Sequence, residues 1–303
     1  MSRLTIESTI SGLIPVLETP FFADGRIDVD GFLVVLDRQL AAGADGVMFA
    51  GFASEFAKLT DAERGELETA MLSRTAGSTA LGIVSVSDHA TRNAVSHAER
   101  AQAAGADAIN VLPPYQLAPP AHEVIAHLDA VLDAASSIPV VIQLAPALTG
   151  AALGLDAIER LTARHKNFAA IKVEAVPPGP MISALLGLPR PMPGLVGYAG
   201  LQLIDALRRG AVGVQPGSSF PELYAGILAA WNDGDVAEAE RRHAQIVPYL
   251  SYWMQNVELI VQVEKTISHR RGWITSDYCR RPGRELDKYE SDTVDKFIAQ
   301  LLT

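Results

Sequence analysis

AAGADAINVLPPY, residues 103–115, carries the whole folding pattern in one line: a helix end, a turn on Gly105, an apolar run from Ala108 to Leu112, and a stop at two prolines. Glycine one step past a helix takes the left-handed backbone that side chains resist. Two other junctions repeat the design, AAGADGV at 41–47 and RRGAVGV at 208–214. Working outward from them, short apolar or β-branched runs recur at Leu13–Leu17, Gly46–Ala50, Leu81–Ser85, Ala108–Leu112, Val140–Leu144, Ala169–Val173, Gly194–Gly197 and Ala211–Val214. The segments between them have helical period. Val124, Ile125, Leu128, Val131 and Leu132 fall on one face, and Thr60 with Glu63 has capping-box spacing.

Strand and helix therefore alternate through eight units, which predicts an α/β protein with a parallel sheet. No G-x-G-x-x-G and no Walker-type G-x-x-x-x-G-K is present, so a (β/α)8 TIM barrel is expected over a doubly wound sheet. The barrel is assigned to residues 1–220. From 221 to 303 only helical patterns remain, at Leu223–Trp231, Val236–Met254, Glu258–Arg271 and Ser291–Leu302, forming a C-terminal helical region. In such a barrel chemistry belongs at the C-terminal ends of the strands.

Composition narrows the partners. With 303 residues and 49% hydrophobic content the chain can bury a large core, and a net charge of -10 without a basic cluster argues against nucleic acid. Small anionic substrates stay open. A single cysteine, Cys279, allows no internal disulfide and suits a reducing cytoplasm. The N-terminus lacks the order of a secretory signal, so no export is expected. The most membrane-like stretch, Ile138–Leu155, is interrupted by Pro139, Pro146, Gly150 and Gly154; it reads as strand, loop and helix start, and no membrane partner is expected.

The residue that draws attention is Lys172, within FAAIKVEAVPPG at 168–179. Most lysines near strand ends reach water with their ammonium. Lys172 instead falls near the C-terminal end of the sixth strand, on the catalytic side of a barrel. A nucleophilic lysine at neutral pH needs about 4 kcal/mol of environment favouring the free amine, which an apolar interior supplies. No metal is expected, because His122 and His127 miss zincin spacing, and no G-x-S-x-G elbow marks a serine hydrolase. In AGFASEFAKLTDAER, 50–64, the amides around Ala53 and Ser54, with the Ser54 hydroxyl, could hold a carboxylate; the alternative is an ordinary loop. Tyr115 follows strand four on a loop stiffened by Pro113 and Pro114, and could equally be a packing aromatic. GVQPGSS at 213–219 reads as a tight turn into a helix rather than an anion site.

In this order, GLIPVLETPFFADGRID, EFAKLTDAER, AGADAINVLPPY, IPVVIQLAPALTG, AIKVEA and RGWITSDYCRRP resemble the dihydrodipicolinate synthase and N-acetylneuraminate lyase family of Schiff-base lysine barrels over nearly the whole chain. The resemblance implies that Lys172 is the Schiff-base lysine. It implies that Tyr115 reaches the neighbouring subunit's site in a tetramer of tight dimers. It also implies a small 2-oxo acid substrate and no cofactor.

The departures from the family pattern bear on the substrate. Gln143 stands where a tyrosine is usual, Phe52 and Ala53 stand where the synthases have two threonines, and Leu148 stands where many members keep an arginine. Glutamine cannot relay a proton, which argues against the synthase itself and weakens a neuraminate lyase reading. FASEFA, PPY, a glutamine in strand five and the Lys-x-Glu pair Lys172 and Glu174 are similar to the 2-keto-3-deoxy-L-arabinonate dehydratase branch. The expectation is a dehydratase of a 2-keto-3-deoxy sugar acid. The alternatives are an aldolase giving pyruvate plus an aldehyde, or a sugar-acid-binding barrel without turnover. Lys172, Tyr115, Gln143 and Glu174 are assigned to catalysis, and Ala53, Ser54, Glu55 and Gly197 to substrate binding. Glu55 and Glu174 each have a supporting role as the alternative, and Glu174, Tyr115 and bound water all remain open as the acid.

Overall fold

Eight strands follow in chain order: β1 (Gly12–Leu13), β2 (Gly46–Phe49), β3 (Leu81–Val86), β4 (Ala108–Val111), β5 (Val140–Leu144), β6 (Phe168–Val173), β7 (Gly194–Val196) and β8 (Gly213–Val214). The computed structural model describes residues 4–6, 8, 10–150 and 153–302. Every residue of β2 and of β4 to β8 is buried, as expected of parallel strands covered on both faces, and this is why they read as apolar runs interrupted only by Asn110, Gln143 and Lys172. They form one sheet in the order β1-β8-β7-β6-β5-β4-β3-β2. With helices between the strands and helices Pro221–Asn232, Val236–Trp253, Val257–Arg270 and Lys288–Leu301 after them, the fold is a (β/α)8 barrel with C-terminal helices. The first strand is shorter than its apolar run: Pro15 has no N–H for a ladder, and Val16 meets Met48 only as an isolated parallel bridge.

The junction glycines behave as their positions demand. Gly43, Gly105 and Gly210 have φ of 79°, 87° and 91°, where a side chain would strain the backbone. Thr60 and Glu63 form the reciprocal box: the Glu63 N–H donates to the Thr60 hydroxyl at 3.3 Å and the Thr60 N–H donates to the Glu63 carboxylate at 3.0 Å. Ile138–Leu155 resolves into β5, a short helix at Pro146–Thr149 and the start of helix Leu155–Arg164; residues 151 and 152 of this stretch lie outside the described residues. Among the described residues no helix is long and apolar enough to cross a membrane.

The chain divides into two compact units. One holds Leu81–Gln215 with the described residues up to Gly12; the other holds Leu13–Ala80 with the chain from Pro216 onward. Within the first, β3 to β8 pair in parallel, and the β5–β6 register contains an irregularity that matters for the site. Val140 lies opposite Phe168, but Val141 lies opposite Ala170, so Ala169 is an extra residue in β6. One inserted residue reverses which side chains face which side. After it, Gln143 stands opposite Lys172. In the second unit, Phe220, Tyr224, Tyr249, Trp253 and Phe297 interlock with ring centroids between 5.0 and 5.6 Å apart. Each such pair adds about 1 kcal/mol beyond its area and ties three of the C-terminal helices together.

Candidate active site

Lys172 and Glu174 are two residues apart at the end of β6, so their side chains leave the same face. Lys172 is only 4% exposed, and its ammonium nitrogen lies 3.7 Å from Oε1 of Glu174. On β5, Gln143 donates from Nε2 to Oε2 of the same carboxylate at 2.6 Å. The Tyr198 N–H donates to Oε1 at 3.2 Å. Both carboxylate oxygens thus act as acceptors, and a base held beside an amine is what the arrangement offers.

Gly197 is assigned to substrate binding by the sequence, and the structure gives it another occupation. Its N–H donates to the Val173 carbonyl at 3.0 Å, and a Cβ on it would lie 2.3 Å from Cγ of Glu174. The missing side chain is the space in which Glu174 lies. Immediately afterwards Tyr198 and Ala199 take φ of 54° and 52°, a left-handed conformation costing about 1–3 kcal/mol each in non-glycine residues. That turn aims the Tyr198 N–H at the carboxylate.

Two participants escaped the sequence reading. Asn110 on β4 donates from Nδ2 to Oε1 of Gln143 at 3.0 Å and to the Ser85 hydroxyl of β3 at 3.1 Å. The four residues Ser85, Asn110, Gln143 and Lys172 each place one polar side chain in a buried strand. That recurrence was visible in GIVSV, AINV, VVIQL and AAIKV, and it was the signal to follow.

Tyr115 belongs to the same unit and is half-buried. Its ring packs edge-on against His89 with centroids 5.0 Å apart, and the Gln116 N–H donates to His89 Nε2 at 3.0 Å, which holds that imidazole as an acceptor there. Burial pushes the His89 and His127 imidazoles below their ordinary range. Among the described residues Tyr115 forms no hydrogen bond with Lys172, Gln143 or Glu174.

The remaining assigned residues, Ala53, Ser54 and Glu55, lie in the second unit, and there the capacity of Ser54 and Glu55 for ligand is spent locally. The Ser54 hydroxyl donates to the Leu17 carbonyl at 2.6 Å, and the N–H groups of Ser54 and Glu55 donate to Gly51 and Phe52 in a 3-10 turn. Glu55 has a left-handed φ of 52° and pairs with the fully buried Lys265 and, at 3.0 Å, with Lys58, which also reaches Glu258 at 2.7 Å. Lys265 further donates to the Tyr278 carbonyl at 3.0 Å and sits 4.2 Å from the Phe21 ring centroid. The Glu55 side chain is thus an ion-pair partner of both Lys265 and Lys58. Among the described residues no three His, Cys, Asp or Glu side chains gather as a metal site requires.

Comparison with known proteins follows the same lines. The dihydrodipicolinate synthetase family matches residues 9–301. The 4-hydroxy-tetrahydrodipicolinate synthase 1 of Streptomyces coelicolor is 34% identical over 242 residues, covering 78% of this chain and 76% of the relative. The L-2-keto-3-deoxyarabonate dehydratase of Azospirillum brasilense is 30% identical over 284 residues, covering 91% and 89%. Among solved structures, YagE of Escherichia coli K12, a prophage protein in complex with pyruvate, superposes with a TM-score of 0.89 at 27% identity, covering 97% of this chain and 99% of that one.

Proposed function

This chain belongs to the dihydrodipicolinate synthetase family and is a lyase of that family, and we propose that it dehydrates a 2-keto-3-deoxy sugar acid through a Schiff base on Lys172. The amine attacks the C2 ketone, water leaves, and the iminium acidifies the C3 protons. Glu174 takes one of them, and the resulting enamine expels the C4 hydroxyl, which accepts a proton as it departs as water. Hydrolysis of the imine frees Lys172, and tautomerisation of the product gives a dioxo acid.

The observation that carries this reading is the partner of Glu174. An aldolase must remove a proton from the C4 hydroxyl, and a phenol serves that purpose; here the corresponding side chain is an amide, Gln143, hydrogen-bonded to the carboxylate at 2.6 Å. An amide cannot relay a proton, but its second N–H can hold a substrate hydroxyl. The likeness to the Azospirillum dehydratase over 91% of the chain supports the same choice. Aldol cleavage to pyruvate is the second reading, favoured by the likeness to YagE. A homotetramer in which Tyr115 reaches the neighbouring subunit belongs to this proposal and is checked by light scattering with Tyr115→Phe.

Borohydride trapping tests the mechanism. Intact mass is measured after reduction with pyruvate or 2-keto-3-deoxypentonates, for the native chain and Lys172→Ala, and products are identified without reductant. An adduct lost in the variant together with a dioxo acid product is expected. Pyruvate as product would replace dehydratase by aldolase, and no adduct with any 2-oxo acid would leave a binding protein.

A further inference from the structure

The geometry points to Asn110 as a positioning residue that acts on the reaction only through Gln143; this rests on the proposed role of Lys172 and Glu174. Asn110 is fully buried and lies opposite Ser85 on one side and Val141 on the other. Gln143 is two residues further along β5, level with Lys172. Asn110 is thus one inward-facing layer deeper in the strands than the amine.

The direction of the hydrogen bonds is forced from the carboxylate end. Glu174 Oε2 accepts, so Gln143 presents its nitrogen to it and its oxygen to Asn110. Asn110 must then present its own nitrogen, and both N–H bonds are used, one on Gln143 and one on Ser85. Its Oδ1 is left buried with no partner among the described residues. An unsatisfied buried carbonyl is a loss of stability. Anchored on Ser85, the Asn110 amide donates to the Gln143 oxygen and so fixes the orientation of the Gln143 amide. Without Asn110 that amide can rotate and present its oxygen to Glu174, where two acceptors repel.

Asn110→Asp reverses the polarity with almost no change of shape. An acceptor at position 110 draws the Gln143 nitrogen away from Glu174. We expect kcat to fall about 10- to 100-fold with KM changed by less than about threefold, while pyruvate still gives a reduced adduct on Lys172. The deciding readout is a double-mutant cycle. In a Gln143→Leu background Asn110→Asp should change kcat by less than about twofold, because the group it acts through is gone. Asn110→Leu, run in parallel, should show the same loss and the same non-additivity, and it replaces the aspartate variant if that one does not fold. Turnover like the native chain in a folded variant, or single effects that multiply in the double variant, would overturn the assignment of Asn110 alone. Absence of an adduct in the native chain would instead overturn the Schiff-base reading on which it rests.

Discussion

Glu18→Gln should stabilise the protein at alkaline pH and leave it unchanged in acid. Glu18 follows the first apolar run and is 1% exposed. Burial pushes its pKa from 4.5 up to about 7; Glu264 and Glu55 reinforce the rise, while the Ser268 hydroxyl and Lys265 oppose it. Lys265 is already committed to Glu55, so a second negative charge there lacks a cation of its own. Between pH 4.5 and about 7 the folded protein keeps a proton that the unfolded chain has released. Stability therefore falls as pH rises through that window and levels off above it. The full displacement corresponds to about 3 kcal/mol. Glutamine imitates the protonated carboxyl at every pH, so the variant should gain on the native chain progressively, by up to about 3 kcal/mol near pH 8. Urea denaturation followed by circular dichroism at a series of pH values, native against variant, reads the difference directly. A difference that does not vary with pH would refute the protonation argument. A variant that loses ground as pH rises would show that Glu18 is ionised and paired with Lys265.

Two other substitutions separate the site from its support. In Gly197→Ala the backbone is undisturbed, since φ is -94°, but the new methyl would lie 2.3 Å from Cγ of Glu174. The carboxylate must leave Lys172 and Gln143, and turnover should fall at least about tenfold in a folded protein; steady-state kinetics at native levels would contradict it. Lys265→Met removes the buried cation from Glu55 and should destabilise by about 3–5 kcal/mol, with Glu55→Gln in the same chain recovering part of the loss. A thermal midpoint equal to that of the native protein would show that the pair is dispensable.

What the sequence determined is whatever is encoded within one element. Alternating apolar runs and helical periods predict the strands and the barrel. Glycines at 43, 105 and 210 mark the left-handed helix ends, and Lys172 with Glu174 is legible because residues two apart on a strand share a face. Tertiary structure alone decided what depends on register and on distance in the chain. The extra residue at Ala169 sets Gln143 opposite Lys172, and a one-residue slip leaves no mark in composition while reversing every side chain beyond it. The chain of hydrogen bonds from the Ser85 hydroxyl through Asn110 to Gln143 crosses three strands. The Glu174 side chain lies where a Cβ of Gly197 would be, a contact between two strand ends that no local pattern announces. Glu55, read as a ligand for substrate, is claimed by Lys265 from a C-terminal helix; charges separated by most of the chain pair without any local pattern, because only folding brings them out of water together.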